Sequence, residues 1–150
     1  MKFVIYAVAS LVVVISMVLI AFSVASRKQP ELGLQGGQLQ VCPATPNCVC
    51  SEYPDETTFI EPLRYTTTTE QAWDKLKQVV AETGGSVIKE EAGYLHVVYE
   101  TPLLRFMDDV EFRLDSQSQR LHVRSASRVG KSDLGANRER VEKIRRAFNP

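Results

Sequence analysis

Residues 110–124, VEFRLDSQSQRLHVR, decide the fold, because apolar and polar side chains alternate on both sides of the short polar turn SQSQ. Such alternation is typical of strands with one buried face, and two such runs around a turn predict an antiparallel hairpin. Pairing Asp115 with Arg120 sets a register with apolar pairs on one face and opposite charges on the other. The further pairs are Phe112 with Val123, Leu114 with Leu121, Glu111 with Arg124, Asp108 with Ser127 and Asp109 with Ala126.

Upstream of this hairpin, the spacing of apolar residues predicts an amphipathic helix. Thr67 and Glu70 have the spacing of a capping box, in which two side chains bind free amides at a helix start. Apolar side chains then recur at helical spacing until Gly84 and Gly85 end the helix. Trp73 lies on this apolar stripe, so we interpret it as a core residue rather than as part of a ligand site.

The remaining elements complete an α+β domain. Ser86–Glu90 and Tyr94–Glu100 predict a second hairpin, and Thr58–Arg64 predicts the first strand. A basic amphipathic helix is predicted at Gly135–Phe148, with Arg145 facing solvent. The order β-α-β-β-β-β-α predicts a two-layer α+β fold, in which two helices pack on one face of an antiparallel sheet.

The N-terminal segment differs in composition from the rest of the chain. Phe3–Ala25 contains no charged residue, and about 20 apolar residues are enough to cross a bilayer as a helix. We therefore predict a single-pass transmembrane anchor at residues 1–26, a flexible linker at residues 27–41 and a folded domain at residues 42–150. A cleaved signal peptide is the alternative, because Ser23–Ala25 offers small residues, although the apolar cores of signal peptides usually span about 7–15 residues.

Charge does not select a topology, and it argues against one class of partner. Lys2 precedes the apolar run, whereas Arg27 and Lys28 follow it, so the preference of cations for the cytoplasmic side gives no orientation. The formal net charge of the chain is zero. Because nucleic-acid-binding proteins carry a basic patch or field, no nucleic-acid partner is expected.

The cysteines are concentrated in one stretch, VCPATPNCVCSE. Two prolines bend the loop between Cys42 and Cys48, which favours a disulfide and hence an exported domain. Free or lipid-modified thiols and metal or redox chemistry stay open as alternatives, and Cys50 is an odd thiol. A structural zinc site needs four ligands, and His96 and His122 are predicted to be partly exposed strand residues. We therefore expect no metal and no cofactor.

Polar residues are dense where the strand after Arg124 turns at Gly130 into the last helix, which Ser132 or Asp133 can cap. Two interpretations of this corner stay open. In the first interpretation, the arginines and free helix amides bind an anion. In the second, the aspartates form ion pairs with the arginines and hold the strand and the helix together. The candidate residues are Asp108, Asp109, Glu111, Arg124, Ser125, Ser127, Arg128, Ser132, Asp133, Asn137 and Arg138.

The structural interpretation of the corner makes definite contact predictions. Asn137 lies on the apolar stripe of the last helix, so its amide is expected to be buried and hydrogen-bonded to the strand backbone. Arg124 is expected to pair with Glu111 or Asp109. Arg128 is expected to pair with a carboxylate of the same set.

Three motifs in this chain resemble those of the domain of unknown function 1499 family: C-P-x-x-P-N-C-V, D-D-V-E-F and R-S-A-S-R-x-G-x-S-D-x-G-x-N-R-x-R-V. The resemblance covers most of residues 42–148, and Cys50 departs from it, because the family more often has serine there. It implies a small bacterial or plastid protein, often with a membrane anchor or signal, and it implies no reaction. The matching residues are Asp108, Asp109, Glu111, Phe112, Arg124, Ser125, Ser127, Arg128, Ser132, Asp133, Asn137, Arg138 and Arg140.

Two functional hypotheses follow from these observations. The first is a membrane-anchored, non-catalytic envelope domain that binds a lipid, another hydrophobic ligand or a partner protein. The alternative is an enzyme with an acidic and arginine site at Asp108–Asp109 and Arg124–Arg128, with His122 as a further candidate. Crowding of two carboxylates can raise the pKa of one of them into the range that suits acid–base catalysis.

Overall fold

The structure, a computed structural model, describes residues 1–54 and 57–149; residues 55–56 and 150 of the predicted domain lie outside the described residues. Within the described ranges the chain forms three helices and six strands. In chain order these are α1 (Lys2–Ser26), β1 (Cys48–Cys50), β2 (Leu63–Arg64), α2 (Thr69–Glu82), β3 (Ser86–Glu91), β4 (Tyr94–Glu100), β5 (Met107–Asp115), β6 (Arg120–Ser127) and α3 (Ala136–Phe148).

These strands form one antiparallel sheet. The order across the sheet is β1-β6-β5-β4-β3, and β2 pairs with the other end of β6. The predicted hairpin register is confirmed along its whole length, from Asp115 paired with Arg120 to Asp108 paired with Ser127. Because α2 and α3 pack together against one face of this sheet, the predicted α+β architecture is confirmed.

The core lies between the sheet and the two helices. Phe112, Leu121 and Val123 of the central hairpin have no exposed surface, and neither do Leu76 of α2 and Ile144 of α3. Burying one such side chain contributes about 1.5–3 kcal/mol relative to leaving it in water. The alternation in the quoted stretch therefore reports a real apolar face.

The two N-terminal strands differ from the prediction. Of the predicted strand Thr58–Arg64, only Leu63–Arg64 is a strand. Cys48–Cys50 forms an additional strand, which pairs with Arg124–Ala126 of β6. Three residues beside a proline-rich loop are too few to show an alternation, so β1 could not be predicted from local periodicity.

The start of α2 lies one residue beyond the predicted cap. The hydroxyl of Thr68 accepts a hydrogen bond from the Gln71 N–H, and the Gln71 side chain accepts one from the Thr68 N–H, both at 3.3 Å. The capping box assigned to Thr67 and Glu70 was therefore wrong, because four threonines in a row each resemble a cap and Gln serves as well as Glu. Trp73 packs partly buried against the core, and its indole N–H donates to a glutamate of β3.

The position of Arg145 on α3 also differs from the prediction. Arg145, predicted to face solvent, donates to the backbone carbonyls of Glu61 and Pro62, the latter at 2.8 Å. Its side chain is only 22% exposed. The segment before β2 folds over α3, and the sequence does not show this contact.

Part of the face of the sheet away from α2 and α3 is also covered, although the edge strand β3 is exposed along its whole length. Leu39, Cys50 and Tyr94 form a small apolar cluster on this face, and Leu39 has no exposed surface. Residues 27–41, predicted as a linker, thus contribute a buried side chain, while their flexibility stays a prediction. His96, predicted to be partly exposed, is only 1% exposed and bonds to the buried carboxylate of Asp109.

The C-terminal end of α1 contacts the sheet directly. The N–H of Met107 donates to the Ser26 hydroxyl at 3.1 Å, and Arg128 donates to the Ser26 carbonyl at 3.1 Å. Ser26 is fully buried, whereas almost all other residues of α1 are exposed. Of the described residues, those of α1 alone form a helix long and apolar enough to cross a membrane, a test that a signal sequence also meets.

Candidate functional site

Asp108 and Asp109 are neighbours in β5, and the structure places them on opposite faces of the sheet. Successive side chains of a strand point in opposite directions. Asp108 accepts a hydrogen bond from Arg140 of α3, whereas Asp109 accepts one from His96 on the other face. The candidate residues therefore form two clusters, and the two aspartates do not act as one acid pair.

The helix-face cluster is formed by Asp108, Ser125, Ser127, Asn137 and Arg140. Asn137 has no exposed surface, and its carbonyl oxygen accepts hydrogen bonds from Ser125 and Arg140, both at 2.6 Å. Its amide nitrogen donates to the Ser127 hydroxyl at 2.9 Å and to the backbone carbonyl of Asn47 at 3.0 Å. All four hydrogen-bonding positions of the amide are used. The predicted burial is confirmed, but the backbone partner is Asn47 of the loop before β1 rather than a strand residue.

Asn47 connects this cluster to β1. Its carbonyl accepts hydrogen bonds from the Asn137 side chain and from the Ser127 N–H, and its own side chain donates to the Gly130 carbonyl at 2.7 Å. Gly130 has a φ of +84°, a conformation that glycine adopts without steric cost as the chain leaves β6. The loop between β6 and α3 is thus held to β1.

Arg140 supplies the charge that balances Asp108. Its guanidinium donates to Asp108 and to the Ser125 hydroxyl, and it lies over the ring of Tyr99 at 5.2 Å. The side chains of Asp108 and Arg140 are only 4% and 12% exposed. This ion pair therefore ties α3 to β5 in a largely water-free environment.

The outer-face cluster is formed by Tyr94, His96, Asp109, Glu111, Arg124 and Arg128. Asp109 accepts two hydrogen bonds from Arg128 and one from His96, each at 2.7 Å. Burial alone would raise the pKa of Asp109, but the bonds from Arg128 and His96 outweigh it, so the pKa of this carboxyl lies below its ordinary value. The predicted pairing of Arg128 with a carboxylate is confirmed.

Glu111 is the second carboxylate of the outer face, and it has no exposed surface. It accepts hydrogen bonds from the Tyr94 hydroxyl at 2.7 Å and from Arg124 at 3.0 Å, which confirms the predicted pair with Arg124. Burial, and then the bond to Glu111, raise the pKa of Tyr94, so its hydroxyl stays a donor. Among residues 1–54 and 57–149, the buried Nε of Arg124 has no hydrogen-bond partner.

The other predicted site residues lie at the start of α3. The carboxylate of Asp133 accepts the N–H of Asn137 at 2.7 Å and that of Gly135 at 3.0 Å, although the N-cap residue itself is Gly135. Ser132 is exposed, and exposed Arg138 donates to backbone carbonyls of the segment before β2. Because Asp133 already occupies two helix amides, this geometry favours the structural interpretation over anion binding.

His122 contacts a serine that lies far from it in the sequence. The Ser51 hydroxyl is 3.2 Å from His122 Nδ1 and also accepts the N–H of Val123 at 2.8 Å. The carboxylates of Glu52 and Asp115 are 3.9 and 4.0 Å from the ring nitrogens, beyond hydrogen-bonding distance. Burial lowers the pKa of His122. Within the described part of the chain, the pair lacks the closely bonded third group that orients a catalytic histidine.

Cys42 and Cys48 form the predicted disulfide. Cys50 is a free thiol that is only 1% exposed, and burial raises the pKa of this thiol. In the part of the chain that the structure describes, no group of three His, Cys, Asp or Glu side chains could hold a metal ion. The expected absence of a metal or cofactor stays a prediction.

A cavity of about 280 Å³, here named the junction cavity, lies where α1, the β4–β5 turn and the start of α3 meet. Its lining is mostly apolar, and it borders the helix-face cluster. The apolar residues are Leu19, Phe22, Phe106, Val129 and Ala136. The polar edge is formed by Asp108, Ser127, Ser132 and Asp133, with Thr101 and Gly130 completing the lining.

The fold defines a small α+β domain that follows an apolar helix. Its two polar clusters join the strand pair β5–β6 to α3 on one face and to the end of α1 on the other. The chain belongs to the family described as "Protein of unknown function (DUF1499)", whose model matches residues 38–148. This range contains the sheet, α2, α3 and every predicted site residue. No curated protein and no solved structure matches the chain.

Several residues of the two clusters were not predicted as site residues. Arg140 lies one helical turn after Asn137, and this spacing was a usable signal. Tyr94 and His96 share one face of β4. The register of β4 against β5 could not be predicted, because the connection at residues 101–106 has no recognisable turn motif. The contact between β1 and β6 is also long-range, and it gave no local signal.

Proposed function

We propose that this protein is a non-catalytic, membrane-anchored domain that binds a membrane lipid in the junction cavity. The observation that carries the proposal is the position of this cavity between α1 and the domain. Leu19 and Phe22 of α1 form one wall, and the other wall includes Phe106 and Val129. A cavity with one wall on a membrane-spanning helix is reached from the acyl chains of the bilayer.

The lining of the junction cavity fits a ligand with an apolar body and a polar end. Ligand sites are usually apolar pockets with a few polar groups that fix orientation. The carboxylate of Asp108 is already bound by Arg140, and that of Asp133 by backbone amides. This leaves the hydroxyls of Ser127 and Ser132 at the polar edge to donate hydrogen bonds to ester or headgroup oxygens of a lipid.

The proposal requires α1 to remain attached as an anchor, because removing it would remove one wall of the cavity. It places the domain on the exported side of a bacterial inner membrane, facing the periplasm. The Cys42–Cys48 disulfide supports this side, because disulfides persist in oxidising compartments and are rare in the cytosol.

Native mass spectrometry of the full-length protein, released from membranes with a mild detergent, tests the proposal. The wild-type protein is expected to carry a co-purifying lipid. Ala136→Leu fills the cavity, so it should lose the lipid adduct, while Ala81→Leu, at an exposed position of α2, should keep it. A wild-type protein free of lipid, or equal adducts in the two variants, would contradict the proposal.

The enzyme hypothesis has no comparable observation in its favour. Asp108 and Asp109 face opposite sides of the sheet, and each is bound by its own arginine. The Arg124 guanidinium is bound to Glu111. An acid–base mechanism that depends on two crowded aspartates is therefore not supported by this geometry.

A further inference from the structure

We infer that the β4–β5 turn, residues 101–106, is a second membrane contact, which inserts its leucines into the bilayer beside α1. Leu103 at the tip of this turn is 89% exposed. Leu134 is 98% exposed. These two leucines are the most exposed large apolar side chains among the described residues that follow α1. Both lie in connections at the end of the sheet that meets α1, and large exposed apolar groups commonly mark interaction surfaces.

The turn has a defined shape that presents Leu103 outward, whereas Leu104 is half-buried. The Thr101 N–H donates to the Phe106 carbonyl at 2.9 Å, and the Arg105 N–H donates to the Thr101 carbonyl at 3.0 Å. Arg105 has a φ of +55°, and its side chain donates to Glu100 at 2.7 Å. The chain thus reverses at Arg105 and returns its charge toward the sheet, while Leu103 stays at the tip.

The leucines of the turn lie alongside the C-terminal half of α1. A cavity of about 400 Å³ between them is lined by Ser16, Leu19 and Ile20 of the helix and by Leu103 and Leu104 of the turn. Ser16 precedes the helix end at Ser26 by ten residues, which is about 15 Å along the axis at 1.5 Å per residue. The turn therefore extends along the last turns of the helix.

This level of α1 lies within the hydrocarbon when the helix spans a bilayer. The 25 residues of α1 make a helix about 37 Å long, which exceeds a hydrocarbon core of about 30 Å by only a few residues at each end. Leu19 and Ile20 are therefore inside the hydrocarbon, and the two leucines of the turn, which line the same cavity as these two residues, lie at a similar depth. The contact of Ser26 with Met107 fixes this depth for the domain.

The charges around the turn suit the headgroup region of an anionic bilayer. The cations Arg27 and Lys28 directly follow α1. The turn lies close to this helix end, because the Ser23 hydroxyl is 3.5 Å from the Arg105 carbonyl. Cations at the edge of an inserted apolar surface attract lipid phosphates. The inference shares with the proposed function the placement of α1 in a bilayer, but it does not require the junction cavity to be occupied.

Depth-dependent fluorescence quenching of the full-length protein tests this inference. Trp73→Phe removes the natural fluorophore, and Leu103→Trp places one at the tip of the turn. Gln117→Trp is the matched control, because it is an exposed tip of the β5–β6 turn at the opposite end of the sheet. Nine residues of β5 separate these two ends, about 31 Å at 3.4 Å per residue.

Both variants are reconstituted in vesicles of phosphatidylcholine and phosphatidylglycerol, with bromine on the acyl chains as quencher. The tryptophan at position 103 is expected to emit at a shorter wavelength and to lose most of its emission, whereas the one at position 117 keeps a water-like spectrum. Equal, water-like spectra overturn the inference. Protection of buried Cys50 from alkylation shows that each variant is folded. If the wild-type protein carries no lipid in native mass spectrometry but the tryptophan at position 103 is still quenched, only the proposed function is rejected.

Discussion

The helix-face cluster and the outer-face cluster alternate along the same two strands, β5 and β6, yet they are held together differently. On the helix face, the uncharged amide of Asn137 is central and uses all its hydrogen-bonding positions. On the outer face, the central groups are the carboxylates of Asp109 and Glu111, each bound by an arginine. The first cluster joins the sheet to α3, and the second reaches the end of α1 through Arg128.

This difference has an energetic consequence. A neutral hydrogen bond contributes a net of about 0.5–1.5 kcal/mol, because the unfolded chain bonds to water instead. Removing one partner of a buried ion pair costs about 3–5 kcal/mol, because it leaves a charge without compensation in a poorly solvated place. Loss of the charged Asp109 on the outer face should therefore cost more than loss of the uncharged Asn137 on the helix face, and of these two side chains Asp109 is the one that titrates.

The largest effect is expected for Asp109→Asn, which leaves the guanidinium of Arg128 without its counter-charge. The free energy of unfolding should fall by about 3–5 kcal/mol. Urea titration of the full-length protein in detergent, followed by the fluorescence of partly buried Trp73, measures it. Glu139→Gln makes the same chemical change at an exposed position of α3 and should be close to neutral. Equal losses in both variants would remove the special role of the outer face.

The effect of Asp109→Asn should also depend on pH in one direction. The pKa of Asp109 is lowered in the folded protein, so the pair with Arg128 stabilises fully above the unfolded value of about 3.9. That contribution is lost as the pH falls through the lower pKa that Asp109 has in the folded protein. The difference between wild type and Asp109→Asn should therefore shrink from about pH 5 downward. A difference that stays constant down to pH 2 would contradict the direction of this shift.

A smaller effect is expected for Asn137→Ala on the helix face. The substitution removes all four hydrogen bonds of the buried amide, so that the Asn47 carbonyl and the hydroxyls of Ser125 and Ser127 each lose one bond, at a cost of about 1–3 kcal/mol. The same urea titration measures it, and no dependence on the ionisation of an aspartate is expected between pH 4 and 7. Gln78→Ala, which removes an exposed amide of α2, is the matched control. An unchanged midpoint for Asn137→Ala would show that the cluster has no role in stability.

The smallest single loss is expected at the disulfide that precedes β1. Replacing Cys42 and Cys48 together by alanine opens a short loop, so the cost should be about 2 kcal/mol or less. The loss should act on the helix-face cluster, because the Asn47 carbonyl belongs to this loop. Alkylation provides the control: the unfolded, unreduced wild type should label one thiol, Cys50, and three labelled thiols would contradict the disulfide.

The double variant Asp109→Asn with Asn137→Ala sharpens the comparison further. The two residues have no hydrogen-bond partner in common and face opposite sides of the sheet. Independent sites add to within about 0.3–0.5 kcal/mol. A larger deviation would show that the two faces form one coupled network through β5 and β6.

Much of the fold could be predicted because its signals are local. The register of Asp115 with Arg120 follows from a short turn, and one correct pair determines every other pair along two strands. The same register predicted the contact of Arg124 with Glu111. The cap of α2 was missed by one residue, because the four consecutive threonines at residues 66–69 are equivalent until the helix axis is fixed.

The sequence by itself determined the apolar helix, the alternating hairpin and the polar composition of the corner, because periodicity and spacing are properties of neighbouring residues. Only the tertiary structure decided that Asp108 and Asp109 serve different clusters, that His96 is buried and that Asn47 binds Asn137. These contacts join segments far apart in the chain, and they depend on which segment covers each face of the sheet. That choice is made by packing of the whole domain, so no local pattern records it.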